Sequence, residues 1–260
     1  SNPSSNQVLP SADYSGDGLA DIGIFRPDDG LWAIRGLGRI YFGGSGDLPA
    51  SGDYNGDGVT DIAVYRPGTG LWAVRDLTRI YFARGNDVVV PGDYDGDGSC
   101  EAALFNLDNA LWRVRDLTRV YFGNIDDNPV PGDYDGDGDL DIAVFRPNQV
   151  LWAVREITRA YFGSADDYPV PGRYRWYGAD RTLSPFRCRI ALFRPSTGLW
   201  AIRGISRFYF GREGDLPVKG EYSGGLPEET GIFRPSSGLW AIRGITRAYF
   251  GESRDIPLAE

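Results

Sequence analysis

Short apolar runs of four or five residues alternate along the chain with turns rich in glycine, proline and aspartate. Apolar runs of this length bounded by turn residues predict β-strands. The run around Trp72 alternates Trp72 and Val74 with Ala73, which is the two-residue period of a strand. One stretch of forty residues contains four such runs: 48–51 (A), 62–65 (B), 71–75 (C) and 79–82 (D).

The pattern of four runs recurs six times. A tryptophan marks each copy, with spacings of forty residues except for one of forty-eight, so the fifth copy carries an insertion: Trp32, Trp72, Trp112, Trp152, Trp200 and Trp240. The predicted organisation is a lead (1–7), six units (8–47, 48–87, 88–127, 128–167, 168–215 and 216–255) and a C-terminal stub (256–260).

A period near forty with four strands per repeat predicts an all-β, six-bladed β-propeller of four-stranded antiparallel blades. We expect strand A nearest the axis, strand D outermost, and all A–B loops on one face. Residues 255–258 echo 47–50, as if another unit began there. They either fill the joint between the last and first blades or belong to a longer array, and closure is the favoured alternative.

The segment between runs A and B has the spacing of a calcium loop. In the second unit, Asp53, Asn55, Asp57 and Asp61 take positions 1, 3, 5 and 9, and position 7 offers a backbone carbonyl. Calcium takes six to eight oxygen ligands, which short acidic side chains on a sharply turning chain can supply. Position 12 is apolar rather than the glutamate that closes a helix–loop–helix site, and the residues that follow predict a strand.

Four units keep this pattern, which predicts about four Ca²⁺ ions. Units three and four carry the most acids and should bind most tightly. The alternative is that the Asp-Gly pairs only make hairpin turns. The candidate ligands are Asp13, Ser15, Asp17, Leu19 and Asp21; Asp53, Asn55, Asp57, Val59 and Asp61; Asp93, Asp95, Asp97, Ser99 and Glu101; and Asp133, Asp135, Asp137, Asp139 and Asp141.

The last two units break the pattern. The sixth lacks an acid at position 5, which predicts at most weak binding, and the fifth has arginines in place of its first two ligands. Arginine and large aromatic side chains are enriched at binding hot spots, so an altered loop on a rigid scaffold is a candidate partner site. Alternatively, these side chains only neutralise and fill the altered loop. The candidates are Arg173, Arg175, Trp176, Tyr177 and Phe186.

Three segments of the repeat carry a likeness to a known family: Tyr41-Phe42-Gly43, Gly52-Asp53-Tyr54-Asn55-Gly56-Asp57-Gly58 and Asp61-Ile62-Ala63-Val64. With them the repeat resembles the FG-GAP or VCBS repeat of integrin α-subunit propellers and bacterial surface proteins over about 8–255. That resemblance implies a propeller with calcium in the A–B loops and an extracellular setting. The chain departs from it in having Phe25-Arg26-Pro27 where the family often has Gly-Ala-Pro.

Two further sets of residues recur. The tryptophans would either pack between blades or stack on sugars, and packing is favoured. Two sets of arginines, one before each B–C turn and one after strand C, would either hold anionic glycans or pair with carboxylates such as the aspartates that precede strand A, and pairing is favoured. Those aspartates are Asp47, Asp87, Asp127, Asp167, Asp215 and Asp255.

Composition limits the function. A net charge of −9 argues against a general nucleic-acid binder, and no apolar stretch predicts membrane insertion. With no histidine, proton transfer near neutral pH would fall to carboxylates that the loops already use. Cys100 and Cys188 fall in units separated by a whole blade, so a disulfide between them is not favoured.

These observations predict a non-catalytic, calcium-binding extracellular module for recognition, adhesion or assembly, with a protein or glycan partner. A repeat lectin and an accessory domain of a larger secreted enzyme are the alternatives. A repeat lectin of the six-bladed fungal type would hold sugar with an arginine, a glutamate and an aromatic residue, and these repeats lack a recurrent glutamate.

Overall fold

The computed structural model of the chain describes residues 12–174, 187–224 and 228–259. It contains six four-stranded antiparallel sheets arranged as the blades of a propeller, which confirms the predicted fold. A single 3-10 turn (Pro147–Gln149) is the helical structure found in these ranges. No helix in them is long and apolar enough to cross a membrane.

Twenty-four strands form the blades. In chain order they are β1 (Gly23–Arg26), β2 (Leu31–Ile34), β3 (Gly38–Tyr41), β4 (Leu48–Pro49), β5 (Ala63–Arg66), β6 (Leu71–Val74), β7 (Thr78–Tyr81), β8 (Asp87–Val89), β9 (Ala103–Asn106), β10 (Leu111–Val114), β11 (Thr118–Tyr121), β12 (Asn128–Pro129), β13 (Ala143–Arg146), β14 (Leu151–Val154), β15 (Thr158–Tyr161), β16 (Tyr168–Pro169), β17 (Ala191–Arg194), β18 (Leu199–Ile202), β19 (Ser206–Tyr209), β20 (Leu216–Gly220), β21 (Glu229–Arg234), β22 (Leu239–Ile242), β23 (Thr246–Tyr249) and β24 (Ile256–Leu258).

Blades two to six take their four strands in sequence order, whereas the first blade has the order β24-β1-β2-β3. Its β1 pairs with β24 through Gly23 opposite Leu258 and Phe25 opposite Ile256. The C-terminal stub therefore supplies the first strand of the first blade and closes the ring. Closure was the favoured one of the two alternatives.

Tight turns set the register within each blade. β5 and β6 pair from Ala63 opposite Val74 to Arg66 opposite Leu71, and the turn between them ends at Gly70. Gly70 has φ +72°, and a Cβ on it would lie 2.1 Å from the carbonyl oxygen of Ala83. A left-handed backbone this close to the neighbouring strand favours glycine.

The core lies between the blades. In the second blade, Trp72 and Tyr65 pack with Val89 and Leu104 of the third blade. All six repeat tryptophans have an exposed fraction of 0%, and the indole of Trp112 donates a 3.0 Å hydrogen bond to the carbonyl of Phe122. This confirms packing as their role, because a buried ring presents no face to a sugar.

Arginines and aspartates tie each B strand to the start of its blade. Arg146 is typical, because its Nε and Nη2 donate to the two carboxylate oxygens of Asp127 at 2.8 and 2.9 Å, and the Asp127 side chain is fully buried. In the third blade Asn106 replaces the arginine, and Arg113 of the next strand pairs with Asp87 at 2.9 Å. The same kind of pair occurs as Arg26–Asp255, Arg66–Asp47, Arg194–Asp167 and Arg234–Asp215.

Three arginines after strand C also pair with an acid, but not with the aspartates before strand A that we named. Strand C runs parallel to strand A, so an arginine after its last residue lies at the opposite end of the sheet from the start of strand A and contacts an acid in the C–D turn. The pairs are Arg75–Asp76, Arg115–Asp116 and Arg155–Glu156, and the acidic side chain of each pair is exposed to solvent. The guanidinium of Arg243 instead lies 4.0 Å from the ring centre of Phe208 in the preceding blade.

Candidate metal centres

Backbone hydrogen bonds fix the first acid of the A–B loop in the second unit. Gly56 and Gly58 donate hydrogen bonds of 2.8 and 2.7 Å to the two carboxylate oxygens of Asp53. Both glycines have positive φ, 72° and 84°. The chain thus wraps around the first acid, as the sequence pattern of short acids and glycines predicts.

The last acid of the loop is fixed in a similar way. Tyr54 N–H donates a 2.9 Å hydrogen bond to Oδ2 of Asp61. Asp57 accepts from Val59 N–H through Oδ1 at 2.8 Å. Each carboxylate is therefore oriented by the backbone and still has oxygen lone pairs available to an ion.

The four predicted loops share these contacts. Position 9 accepts a hydrogen bond from the position 2 amide at 2.7 to 2.9 Å in all four, through Asp21, Asp61, Glu101 and Asp141. Position 5 likewise accepts from the position 7 amide through Asp17, Asp57, Asp97 and Asp137. The position 7 residues Leu19, Val59, Ser99 and Asp139 thus use their amides within the loop.

Units three and four bring three acids together most closely. One carboxylate oxygen from each of Asp93, Asp95 and Glu101 lies within 4.8 Å of the other two. The same holds for Asp133, Asp135 and Asp141. In unit two position 3 is the amide of Asn55, and in unit one it is the hydroxyl of Ser15, so those loops present one carboxylate fewer.

The electrostatics of these loops favour a bound cation. Burial raises the pKa of Asp141 to about 6, the Tyr134 amide opposes that shift, and Asp135, Asp137 and Asp133 add to it. Burial, opposed by backbone hydrogen bonds, also raises the pKa of Asp21, Asp61 and Glu101, and nearby acids add to the rise. A divalent cation would remove this repulsion, and the donors are the hard oxygens that Ca²⁺ prefers. The residues therefore fit calcium.

Neighbouring loops are joined by backbone hydrogen bonds around the ring, a feature that sequence reasoning missed. The position 8 N–H of each loop donates to the position 1 carbonyl of the preceding blade, as Thr60 does to Asp13 at 2.6 Å. The remaining bonds are Cys100 to Asp53, Leu140 to Asp93, Cys188 to Asp133, Glu228 to Arg173 and Ala20 to Glu221. The described parts of all six loops thus form one ring of contacts, as expected if the loops share a face.

The first residue of the fifth loop, Arg173, takes part in ion pairs around Glu228, whose side chain is buried. Nε of Arg173 lies 3.3 Å from Oε1 of Glu228, and Nζ of Lys219 lies 3.0 Å from Oε2 of the same carboxylate. Burial would raise the pKa of Glu228, but the two cations outweigh it and hold the pKa below its usual value. The sequence offered a signal for this pair. Position 8 of the sixth loop is an acid, Glu228, and position 1 of the fifth loop has changed from an acid to Arg173.

This pair supports the structural interpretation of Arg173 over a partner contact. The other candidates from the altered loop, Arg175, Trp176, Tyr177 and Phe186, lie outside the described residues. In the sixth unit Glu229 still accepts a 2.7 Å hydrogen bond from Tyr222 N–H, although position 5 falls outside the described residues. Cys100 and Cys188 are free thiols in different blades.

A family model of the FG-GAP repeat matches residues 45–82. The matched segment spans the second blade from the turn before β4 to the end of β7, and it includes the loop from Asp53 to Asp61. No curated protein matches the chain.

Proposed function

We propose that this FG-GAP β-propeller is a non-catalytic, calcium-stabilised module that works outside the cell in recognition, adhesion or assembly. The observation that supports calcium most directly is the pair of three-carboxylate clusters in units three and four, together with the shared backbone contacts of all four loops. An extracellular setting is consistent with loops of this type, which bind at the millimolar calcium levels found there.

Calcium would act on the fold rather than on a substrate. Ions that bind only the folded state stabilise it by mass action. Each loop donates a backbone hydrogen bond to the first residue of the loop before it. An ion bound in one loop would therefore order that loop and also restrain the neighbouring loop. The oxygen ligands are thereby committed to structure, which supports a role without catalysis.

Calorimetric titration of chelator-stripped protein tests this proposal. We expect about four equivalents of Ca²⁺ with dissociation constants of roughly 10⁻⁴ to 10⁻³ M, and a melting temperature that rises with calcium. Magnesium is the matched control, because it demands a smaller octahedral site. Absence of calcium uptake, together with melting that chelator leaves unchanged, would show the proposal to be wrong.

A further inference from the structure

The outermost strand of every blade carries an arginine followed two positions later by a tyrosine. Side chains two residues apart on a strand project from the same face, so each pair forms one contact point. We call the six pairs the rim: Arg39 and Tyr41, Arg79 and Tyr81, Arg119 and Tyr121, Arg159 and Tyr161, Arg207 and Tyr209, and Arg247 and Tyr249.

The rim residues are exposed to solvent. The six tyrosines have exposed fractions of 69 to 77%, in contrast to the tryptophans on the neighbouring strands, which have 0%. The six rim arginines are also exposed, and none of them makes an ion pair or a side-chain hydrogen bond with another residue of the described ranges. Ion pairing among the described residues therefore does not account for the rim arginines.

Exposed apolar surface is concentrated at the same edge. Of the twelve large apolar or aromatic side chains that are exposed in the described ranges, eleven lie on the D strands or the C–D turns beside them. Besides the rim tyrosines these are Leu37, Leu77, Leu117, Ile157 and Ile245. An exposed apolar position that recurs beside the rim on most of the blades supports a binding surface that repeats with them.

Repetition points in the same direction. The middle residue of the C–D turn varies among glycine, aspartate and glutamate, as at Gly36, Asp76 and Glu156. The rim arginine and tyrosine are present in all six copies, even in the fifth, whose A–B loop has lost its acids. Exposed positions that stay the same while their neighbours change indicate a shared requirement other than folding.

We propose that the rim binds an acidic polysaccharide, with one uronate or sulfate group at each contact point; this rests on the recognition role proposed above. A planar guanidinium binds a carboxylate or sulfate through two hydrogen bonds, and the tyrosine ring offers an amphipathic face for a sugar ring. A polymer with one acidic group in each repeating unit can occupy several of the contact points at once. Several weak contacts then combine into high avidity.

Charge favours a polysaccharide over nucleic acid. Duplex DNA carries one negative charge for about each 1.7 Å of its axis. The chain has a net charge of −9, and its acidic loops would repel so dense a polyanion. A polysaccharide with one carboxylate for every two sugars has a lower charge density than DNA. It can place a carboxylate against the arginine of a blade with less repulsion from the acidic loops.

The test uses the calcium-loaded chain and hyaluronan, with neutral dextran and double-stranded DNA as comparison polymers. We expect hyaluronan to bind, dextran not to bind, and a short hyaluronan oligosaccharide to bind at least about a hundredfold more weakly than the polymer. Affinity for hyaluronan should fall as salt rises. Equal binding of DNA and hyaluronan at the same salt would overturn the proposal in favour of a general polyanion surface.

Two variants separate the contacts. The triple change R79A/R119A/R159A and the triple change Y81S/Y121S/Y161S should each lower affinity for hyaluronan by at least about tenfold. The matched control is R75A/R115A/R155A, whose arginines pair with neighbouring acids and should matter less. Equal losses in the control and in the rim variants would contradict the rim assignment.

Calcium uptake distinguishes failure of this inference from failure of the proposed function. All variants should retain about four calcium equivalents and their melting temperature, because the rim lies on strands rather than in the loops. Normal calcium uptake without hyaluronan binding would refute the rim site and leave the calcium-stabilised module standing. Loss of calcium uptake in the unmodified chain would refute the module itself.

Discussion

The backbone N–H of Cys100 donates a 2.6 Å hydrogen bond to the carbonyl oxygen of Asp53, so the third loop is fastened to the first ligand position of the second. The contact is close, because a Cβ on Gly52 would lie 2.4 Å from Sγ of Cys100. Ordering of one loop by an ion should therefore restrain the loop beside it.

Asp97→Ala should remove one of the expected calcium equivalents, since Asp97 is the position 5 acid of the third loop. Neighbouring sites should weaken by about fivefold or less, because the coupling passes through a few backbone contacts. Calorimetric titration measures both effects. Asp76→Ala is the control, as this exposed acid lies outside the loops. Loss of all calcium binding in Asp97→Ala would mean that the sites do not act as separate units.

Arg146→Asn should destabilise the fold by about 3 kcal/mol, because it leaves the buried carboxylate of Asp127 without its guanidinium. The third blade already contains the alternative arrangement, Asn106 with Arg113. Adding Ala153→Arg, at the position equivalent to Arg113, should therefore recover much of the loss. Urea unfolding of both variants tests this, with Arg155→Asn at an exposed pair as the control that should change little.

Glu228→Gln should destabilise the protein by about 1 to 2 kcal/mol, because it leaves Lys219 and the partly exposed Arg173 facing a neutral amide. The folded pKa of Glu228 lies below its unfolded value, so its contribution is present above the ordinary glutamate pKa of about 4.3 and is lost as pH falls through the folded pKa. The stability difference between the two proteins should therefore shrink in acid. A constant difference across that range would contradict the ion-pair interpretation.

The thiols of Cys100 and Cys188 should resist modification in the folded protein at pH 8.5. Burial, with a smaller contribution from Glu228, raises the pKa of Cys188 to about 12, and burial also raises that of Cys100 well above its usual range. Ellman's reagent should titrate two thiols only after denaturation. Above the ordinary thiol pKa of about 8.5 the unfolded chain loses protons that the folded chain keeps, so stability should fall as pH rises.

Cys100→Ala offers the matched control for that pH dependence. The equivalent position of the first unit is already alanine, Ala20, so the side chain fits the ring. The variant should lose part of the decline in stability above pH 8.5. Rapid modification of both thiols in the native protein would contradict this protection.

The fold could be predicted from the sequence because its determinants are local and repeated six times. The spacing of the tryptophans fixes the unit, and strand bounds such as Ala63–Arg66 lie within a residue or two of the runs that predicted them. The loops could be predicted as well, since their ligands and turn glycines are close in sequence. Their calcium occupancy stays a prediction.

What the sequence could not reveal depends on contacts between blades. The bond from Cys100 to Asp53 joins residues in different repeats, and no periodicity reports such neighbours. The pair between Arg173 and Glu228 also joins two repeats, and its signal lay in departures from the repeat rather than in the repeat itself. The acids that pair with the arginines after strand C could not be identified either, because repetition shows that a residue recurs without showing which of several acids it reaches.

The pairing of β24 with β1 gives the ring one connection unlike all the others. Five blades are made of consecutive strands, whereas Arg26 and Asp255 meet across 229 positions. Contacts of long sequence separation are slow to form, because loop entropy must be lost before they stabilise anything. During synthesis five blades can therefore fold as they leave the ribosome, while the first waits with one strand missing until residues 256–258 arrive.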